Sequence, residues 1–200
     1  MCGRYFIDNE EQNAEIRQII ETLTNKTSAS RMLDIKTSGE VFLGDTVPVL
    51  AGNKIVPMTW GFSQNHSRGV INARYESAGI RTMFKKSFNE MRCLIPASGY
   101  YEWAKNEFGT QKLAFTHTNG DAIYMAGIYR FDRGEKYPSF VILTRPASQF
   151  ISHIHSRMPV ILPGKSRREW LNGGDAKKVL HEAVRFLRYN AMWTGQQSSV

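Results

Sequence analysis

A run of short strand-like segments between residues 92 and 144 constrains the fold of this chain more than any other feature. The segments are rich in β-branched and aromatic residues, a composition typical of strands. The predicted strands are 92–95, 99–104, 112–116, 123–131 and 139–144. Several antiparallel strands combined with few helices are typical of an α+β domain built around a curled sheet.

The rest of the chain adds a few further strands and helices to this sheet. Strands are predicted at 3–6, 47–50 and 55–62, the last two paired around a Gly52-Asn53 turn. Apolar residues recur at helical spacing over 9–23, where Asp8 can cap the helix. Shorter helices are predicted at 77–81, 167–170 and 176–186, an irregular connection at 24–38 and a loop at 63–69.

The length of 200 residues predicts one domain over 1–188, followed by a flexible polar tail over 189–200. A domain of this size buries about two-thirds of its unfolded surface, so its stability requires no disulfide or structural metal. No segment approaches 18 consecutive apolar residues, which excludes a membrane-spanning helix, and the first residues do not resemble a signal peptide. We therefore expect a cytoplasmic monomer without a cofactor or a membrane partner.

The positive charge is distributed unevenly along the chain. The net charge is +8, from 26 Lys and Arg against 18 Asp and Glu, but residues 8–24 hold five acids and one base, a net of −4. Residues 54–105 hold eight bases and three acids, interleaved with aromatic side chains. Cations that follow phosphates and rings that stack on bases are typical of proteins that bind single-stranded nucleic acid. A solvated basic surface over an aromatic core explains the same composition, so charge alone leaves both possibilities open.

The two cysteines differ in their sequence context. Cys93 lies in an apolar run that ends at Pro96, which predicts a buried strand residue. Cys2 directly follows Met1, and a small residue at this position allows Met1 to be removed. Cys2 would then carry an amine and a thiol with ordinary pKa values of about 7.7–8.0 and about 8.5. Such an aminothiol condenses with aldehydes to a five-membered thiazolidine ring, although an ordinary terminal cysteine is the alternative.

Three polar clusters carry groups that can exchange protons or orient a substrate. Asn72 follows apolar residues and begins a dense polar run, as at the end of a strand that leads into a site. Glu102 lies among aromatic residues, which would desolvate it and raise its pKa towards the acid–base range. His155 and Arg157 precede an apolar strand-like run. A turn cap, a surface ion pair and a core histidine explain these residues equally well, so the clusters alone identify no enzyme.

Four separated motifs together resemble the SOS response-associated peptidase (SRAP) family. They are Met-Cys-Gly-Arg at the start, Asn-Ala-Arg-Tyr-Glu from residue 72, Pro-Ala-Ser-Gly-Tyr-Tyr-Glu-Trp from residue 96 and His-Ser-Arg-Met-Pro from residue 155. The resemblance runs from residue 2 to about residue 188 and implies a single α+β domain with a barrel-like core. It also implies a basic groove for single-stranded DNA with abasic sites, in a bacterial protein that joins the nucleoid when bound.

The resemblance implies a role for each residue of these motifs. Cys2, after loss of Met1, forms a thiazolidine crosslink with the aldehyde of the ring-opened abasic site and shields the lesion in the DNA-damage (SOS) response. Asn72 orients the reactive amine and the sugar, Glu102 is the acid–base group of ring opening, and His155 assists Schiff-base chemistry and crosslink reversal. The implied phosphate contacts are Arg4, Arg74 and Arg157, and the implied stacking platforms are Trp60 and Trp103.

Other functions remain open on the same residues. A thiol peptidase would use Cys2 as the nucleophile, His155 as the base and Glu102 or Asn72 as the orienting group, acting mainly on its own N-terminus. A lyase activity, by β-elimination, would accompany or compete with the crosslink. A non-catalytic DNA-binding protein would show salt-sensitive affinity without a covalent bond. One departure from the family pattern is Leu43, which stands where many members have Pro in a loop near the DNA.

Overall fold

Two β-sheets carry most of the core of the protein. The computed structural model describes residues 2–8, 13–64, 67–107, 109–185 and 187–191. The strands are β1 (Arg4–Ile7), β2 (Gly39–Val41), β3 (Thr46–Ala51), β4 (Lys54–Trp60), β5 (Phe62–Gln64), β6 (Ser67–Val70), β7 (Asn72–Arg74), β8 (Arg92–Ala97), β9 (Gly99–Asn106), β10 (Gly109–Thr116), β11 (Ile123–Arg130), β12 (Ser139–Pro146), β13 (Arg157–Pro159) and β14 (Arg188–Ala191). The helices are α1 (Ala14–Lys26), α2 (Ala29–Met32), α3 (Tyr75–Ala78), α4 (Thr82–Glu90), α5 (Gly164–Leu171) and α6 (Ala176–His181). Within the described part of the chain, no helix is long and apolar enough to cross a membrane.

The first sheet is antiparallel throughout, in the order β14-β10-β9-β1-β2. Its register sets Tyr5 directly opposite Tyr100, so their side chains lie on the same face, and both are fully buried. Since side chains alternate between the two faces of a strand, Glu102 shares this inner face with Tyr100. The same alternation puts Arg4 and Trp103 on the outer face.

The second sheet closes into a ring of hydrogen-bonded strands. Its order is β11-β8-β3-β4-β12, and β11 also pairs with β12. Strands β7 and β13 extend this sheet from β12. Strand β12 runs parallel to β4 and β7, and the other described pairs are antiparallel. This architecture confirms the prediction of a single α+β domain with a curled, barrel-like and largely antiparallel sheet flanked by helices.

One sharp corner joins the two sheets, because β8 belongs to the ring and β9 to the first sheet. Ser98 separates these strands, and its hydroxyl accepts a hydrogen bond from the Asp8 N–H at 2.7 Å. Gly99 permits the close approach that the corner needs, since a Cβ there would lie 2.4 Å from the carbonyl oxygen of Phe115. The corner therefore determines where Glu102, three residues after Gly99, enters the interior.

Helix α1 is displaced from its predicted position. The apolar spacing predicts a helix over 9–23 with Asp8 as its cap, and residues 9–12 lie outside the described part of the chain. Asn13 is the observed cap, since its side chain accepts a hydrogen bond from the Ile16 N–H at 3.4 Å. The prediction of Asp8 as cap is wrong, because its backbone is bound to the corner between the two sheets.

Helix α4 is missing from the sequence prediction. The helix predicted at 77–81 is for the most part a turn between α3 and α4, in which the N–H groups of Ile80 and Arg81 donate to one carbonyl oxygen at 3.1 and 3.0 Å. Phe84 is buried and Phe88 packs against the core one helical turn later. This spacing of four residues is the signal from which α4 could have been found.

The other predicted helices and strands are present with shifted ends, but the irregular connection predicted at 24–38 is wrong in part, because it contains the end of α1 and all of α2. The predicted strands all occur, with ends that differ by up to three residues. The loop predicted at 63–69 contains β5 and β6, which pair with each other around two residues outside the described part. The helix predicted at 176–186 ends at His181. Within the predicted tail, residues 189–191 belong to β14 and pair with β10, and residues 192–200 lie outside the described part.

Candidate active site

Cys2 lies two residues before β1, and its side chain is fully buried. The thiol donates a weak hydrogen bond to the Arg4 carbonyl oxygen at 3.9 Å, and the Cys2 carbonyl oxygen accepts one from Asn72 Nδ2 at 2.9 Å. Burial raises the pKa of this thiol, and the negative charge of Glu102 raises it further. The expectation of a thiol that ionises near neutral pH concerns the chain without Met1 and stays a prediction, whereas in the chain that carries Met1 burial favours the protonated thiol.

Asn72 reaches Cys2 from the other sheet. It begins β7, which runs parallel to β12 with Asn72 opposite Ile142. The carbonyl oxygen of Ile71, the preceding residue, accepts a hydrogen bond from Trp60 Nε1 at 3.1 Å, which fixes the start of the strand. Asn72 Oδ1 is buried and has no hydrogen-bond partner among the described residues. The amide therefore anchors the Cys2 backbone and keeps an acceptor available for a ligand.

Trp60 does not form the stacking platform predicted for it. Its ring is fully buried, with its centroid 5.1 Å from that of Tyr5 and 6.4 Å from that of Phe140. A buried ring offers no face to a nucleic-acid base, so the prediction for Trp60 is wrong. The indole instead holds Ile71, and thereby the start of β7, in place.

Glu102 projects from β9 into the interior and is only 4% exposed. Burial raises the pKa of its carboxyl group, and the positive charge of His155 opposes part of that rise. The direction agrees with the prediction made from its aromatic neighbours. A carboxylic acid that keeps its proton to a higher pH than usual can donate that proton to a reacting oxygen or nitrogen and later take it back.

His155 lies shortly before β13, in a turn that fixes its ring. Its backbone N–H donates to the Ile151 carbonyl oxygen at 3.1 Å. Its Nδ1 accepts a hydrogen bond from the Arg157 N–H at 2.9 Å. In the neutral ring this bond assigns the proton to Nε2, and a protonated ring carries the charge that acts on Glu102.

Arg157 is held by groups of the protein itself. Its guanidinium donates to both carboxylate oxygens of Glu76, at 2.6 and 2.9 Å, and to the Thr144 carbonyl oxygen at 2.6 Å. Burial is the largest single effect and raises the pKa of Glu76, but the hydrogen bond and charge of Arg157, a backbone hydrogen bond and the charge of Arg74 together lower that pKa overall. Arg74, at the end of β7, is exposed. Of these two arginines, Arg74 is therefore the more accessible to a phosphate.

Arg4 and Trp103 meet on the outer face of the first sheet. The Arg4 guanidinium lies 5.0 Å from the centroid of the Trp103 ring and 4.4 Å from that of Phe42. It also forms an ion pair with Glu40 at 3.2 Å. Leu43, the position where the family pattern has Pro, is 43% exposed in the same loop as Phe42. These residues form a cationic and aromatic surface on the side of the sheet opposite to the buried carboxyl group.

The structure brings together the four residues predicted for catalysis, which are Cys2, Asn72, Glu102 and His155. A hydrogen bond links Cys2 to Asn72, and electrostatic interactions link Glu102 to the thiol and to His155. Among the described residues, no three His, Cys, Asp or Glu side chains converge as they would around a metal ion. A thiol, a carboxyl group with a raised pKa and an amide in a buried place suit proton transfer during the addition of a nucleophile.

Two tyrosines beside this group are missing from the sequence prediction. The hydroxyl oxygens of Tyr5 and Tyr100 are buried and have no hydrogen-bond partner in the described structure. Burial raises the pKa of both hydroxyls, and a negative charge on Cys2 adds to the rise. The signal for Tyr100 is the alternation along β9, since Tyr100 and Glu102 are two residues apart and share a face.

Curated proteins named abasic site processing proteins match part of this chain. YedK of Escherichia coli (strain K12) is 34% identical over 131 residues, which cover 62% of this chain and 59% of YedK. YoqW of Bacillus subtilis (strain 168) is 30% identical over 132 residues, covering 61% of this chain and 59% of YoqW. HMCES of Xenopus tropicalis is 30% identical over 138 residues, covering 55% of this chain and 41% of HMCES. Each match thus spans less than two thirds of the relative's own length.

Solved structures match more of the chain. A protein of Bacteroides thetaiotaomicron has a TM-score of 0.77 at 18% identity, covering 96% of this chain and 93% of that one. A phage-related protein of Bordetella bronchiseptica has a TM-score of 0.69 at 22% identity, covering 96% and 94%. At these identities the likeness shows the fold alone. The sequence profile described as SOS response associated peptidase (SRAP) matches residues 1–194, so the resemblance is confirmed and the chain belongs to this family.

Proposed function

We propose that this chain processes abasic sites in single-stranded DNA by forming a thiazolidine crosslink through Cys2 once Met1 has been removed. The observation that carries the proposal is the burial of Cys2 between the amide of Asn72 and the carboxyl group of Glu102. The relatives named abasic site processing proteins support the choice of substrate. Such a crosslink would shield the lesion during a DNA-damage (SOS) response.

The crosslink forms in two additions to one carbon. The sugar of an abasic site opens to an aldehyde when the bond from C1′ to the ring oxygen breaks. The ring oxygen takes up a proton, which protonated Glu102 can donate, and the C1′ hydroxyl gives its proton to water. The free amine of Cys2 adds to C1′ of the sugar, and loss of one water gives a Schiff base. The sulfur then adds to the same carbon, and the nitrogen receives the proton that the thiol releases. Ring closure is intramolecular, which gives it a very high effective concentration.

Asn72 and His155 support these steps from the second sheet. The hydrogen bond from Asn72 Nδ2 to the Cys2 carbonyl oxygen holds the reacting residue in one orientation. Its buried Oδ1 is an acceptor for the amine or for a sugar hydroxyl. The interaction between His155 and Glu102 allows a proton to be redistributed between the two groups as the Schiff base forms or reverses.

We assign DNA binding to the arginines named above and to the aromatic surface on the outer face of the first sheet. Arg74 is exposed two residues after Asn72, and we expect it to bind a phosphate close to the lesion. Arg4 and Trp103 together offer a cation and a ring, which suit a phosphate and an unpaired base. Arg157 can bind a phosphate only by leaving Glu76, because that carboxylate already occupies its guanidinium.

The test uses a single-stranded oligonucleotide with one abasic site, analysed by denaturing gel and intact mass. We expect a stable adduct whose mass equals that of the oligonucleotide plus the protein without Met1, less one water. Cys2→Ala, and a variant that keeps residues ahead of Cys2, should form no adduct. Cys93→Ala is the matched control, since Cys93 is equally buried but lies inside the ring of strands.

The same experiment separates the alternatives. An adduct that persists in Cys2→Ala would contradict the proposal, as would DNA binding that is salt-sensitive but never covalent. Strand cleavage on the gel would reveal β-elimination, that is, a lyase activity beside the crosslink. Turnover of peptides added in trans, without any adduct, would favour the thiol peptidase instead.

A further inference from the structure

Four aromatic side chains form a row across the inner face of the first sheet. They are Tyr5, Tyr100, Phe115 and Tyr189, each directly opposite the next on β1, β9, β10 and β14. Residues that lie opposite one another carry their side chains on the same face of a sheet. Ring centroids lie 5.0 Å apart between Tyr100 and Phe115, and 5.1 Å apart between Phe115 and Tyr189. Since Glu102 shares this face with Tyr100, the row lies beside the candidate active site.

Tyr189, at the end of this row, contacts the turn that carries His155 (residues 148–155). Its hydroxyl lies 3.4 Å from His153 Nε2, and the centroids of the two rings are 6.4 Å apart. A tyrosine hydroxyl both donates and accepts, so this hydrogen bond can form with either tautomer of the imidazole. The turn connects β12 to β13, two strands of the second sheet. The contact therefore joins the first sheet to a segment of the second.

Backbone hydrogen bonds make the His155 turn compact. The N–H groups of Ile154 and His155 both donate to the Ile151 carbonyl oxygen, at 2.8 and 3.1 Å. The Ile151 side chain is buried, which fixes the inner side of the turn. His153 lies on the outer side and is exposed. A group that holds His153 therefore also limits the movement of His155, two residues later.

Tyr189 is itself held on two sides. Its strand pairs with β10 from Arg188 to Ala191, and Arg188 Nε donates to Thr116 Oγ1 at 3.2 Å. The Phe115 ring against which Tyr189 packs is fully buried. A tyrosine whose backbone and ring are both held presents its hydroxyl in a defined position. Tyr189 is therefore suited to fix the place of the group that it binds.

We propose that Tyr189 is a positioning residue that holds the His155 turn against the first sheet and so sets the approach of His155 to Glu102, an inference that rests on the proposed crosslinking function. Glu102 belongs to β9 of the first sheet, whereas His155 precedes β13 of the second. Their relative position thus depends on contacts that cross between the sheets. Proton transfer requires the two groups to be within hydrogen-bond reach, so a small displacement of either lowers the rate. Tyr189 acts through His153 and takes no part in the chemical step.

Amide hydrogen exchange of the 200-residue chain, followed by NMR without DNA, measures the hold on the turn. In Tyr189→Ala we expect the amides of Ile154 and His155 to exchange about three- to tenfold faster, because the turn opens more easily. Tyr189→Phe keeps the ring and should give a smaller increase. Asn190→Ala is the matched control, since its side chain lies on the opposite face of the same strand. The amide of Ala126, buried in β11, should exchange at the same rate in every variant.

Single-turnover crosslinking tests whether the effect passes through His155. With saturating abasic oligonucleotide, we expect Tyr189→Ala to lower the rate about three- to tenfold. The dissociation constant for an oligonucleotide without the abasic site should not change. In a His155→Gln background the same substitution should cause no further loss, because no imidazole is left to position. His153→Ala should reproduce the loss and should not add to that of Tyr189→Ala.

A rate loss that is equally large in the His155→Gln background would overturn the inference, since it would show a merely structural role of Tyr189. Unchanged exchange of the Ile154 and His155 amides in Tyr189→Ala would overturn it as well, while a wild-type chain that still crosslinks would leave the proposed function standing. Failure of the proposed function is distinguishable, because the exchange measurement needs no DNA. Faster exchange in Tyr189→Ala, together with a wild-type chain that forms no crosslink, would refute crosslinking and support the hold of Tyr189 on the turn.

Discussion

The two cysteines of this chain are equally buried, but the groups around their thiols differ. Cys93 belongs to β8, inside the ring of strands, and its carbonyl oxygen accepts the indole N–H of Trp170 at 3.0 Å. Burial alone raises the pKa of its thiol. Cys2 lies where the two sheets meet, and burial together with the charge of Glu102 raises the pKa of its thiol.

The difference teaches that burial by itself does not separate a structural thiol from a reactive one. Around Cys2, an amide oxygen and two hydroxyls lack hydrogen-bond partners among the described residues, and a carboxyl group has a raised pKa. Each of these groups lowers stability unless a ligand or a reaction step uses it. Several buried polar groups without hydrogen-bond partners, gathered in one place, are typical of a functional site.

Among variants near the two cysteines, Glu102→Gln, beside Cys2, should change the crosslinking rate the most. Gln keeps nearly the same size but cannot exchange a proton, so the crosslinking rate at neutral pH should fall about 10²- to 10⁴-fold. Single-turnover reactions with the abasic oligonucleotide measure this rate on denaturing gels. Cys93→Ala should keep the wild-type rate. An unchanged rate in Glu102→Gln would show that this carboxyl group is not the acid–base group.

Around Cys93, a larger side chain should instead lower the stability of the fold, and Gly127 is the position that tests this. A Cβ there would lie 2.4 Å from Ile95 Cδ1 and 3.0 Å from the Cys93 sulfur. Gly127→Ala should therefore lower the free energy of unfolding by about 1–3 kcal/mol, measured by urea denaturation, without changing the crosslinking rate of the folded protein. Gly164→Ala, with open space around its Cβ, is the control and should not destabilise. Equal losses in both variants would contradict this account.

The smallest expected effect is a pH-dependent gain in stability from Glu102→Gln. Burial raises the pKa of this carboxyl group in the folded state, so its contribution to stability is complete at acid pH and is lost as the pH rises through the folded-state pKa. Gln has no charge to bury. Melting temperatures of variant and wild type should agree near about pH 4 and separate in favour of the variant above neutrality. A variant that is less stable at every pH would contradict the burial argument.

Much of the fold can be predicted from the sequence because strands repeat every two residues and turns mark their ends. The hairpin at Gly52-Asn53 and the strands from residue 92 onwards show this directly. The closure of the ring by β11 and β12, and the passage from one sheet to the other at Ser98, cannot be predicted in this way. They depend on contacts between distant segments, which the local pattern does not contain.

The site shows a similar division. The motifs imply that Cys2, Asn72 and Glu102 come together, and the contacts between them agree with that. The prediction of Trp60 as a stacking platform fails because the sequence does not reveal whether an aromatic residue at the end of a strand faces the core or the solvent. Tyr5 escapes notice for a related reason, since a hydroxyl without a partner is a property of the folded structure and not of the residue type.

The ion pairs of Arg4 with Glu40 and of Arg157 with Glu76 would affect how quickly this protein dissociates from DNA. A cation that meets a phosphate usually releases a condensed counterion, and this release drives binding. An arginine that leaves a carboxylate for a phosphate only exchanges one anion for another, so it gains less from binding the strand than an unpaired cation would. In the proposed function, Glu40 and Glu76 would therefore compete with the DNA backbone for these two arginines. They would keep the hold on undamaged strands weak and brief, and leave durable attachment to the covalent bond at a lesion.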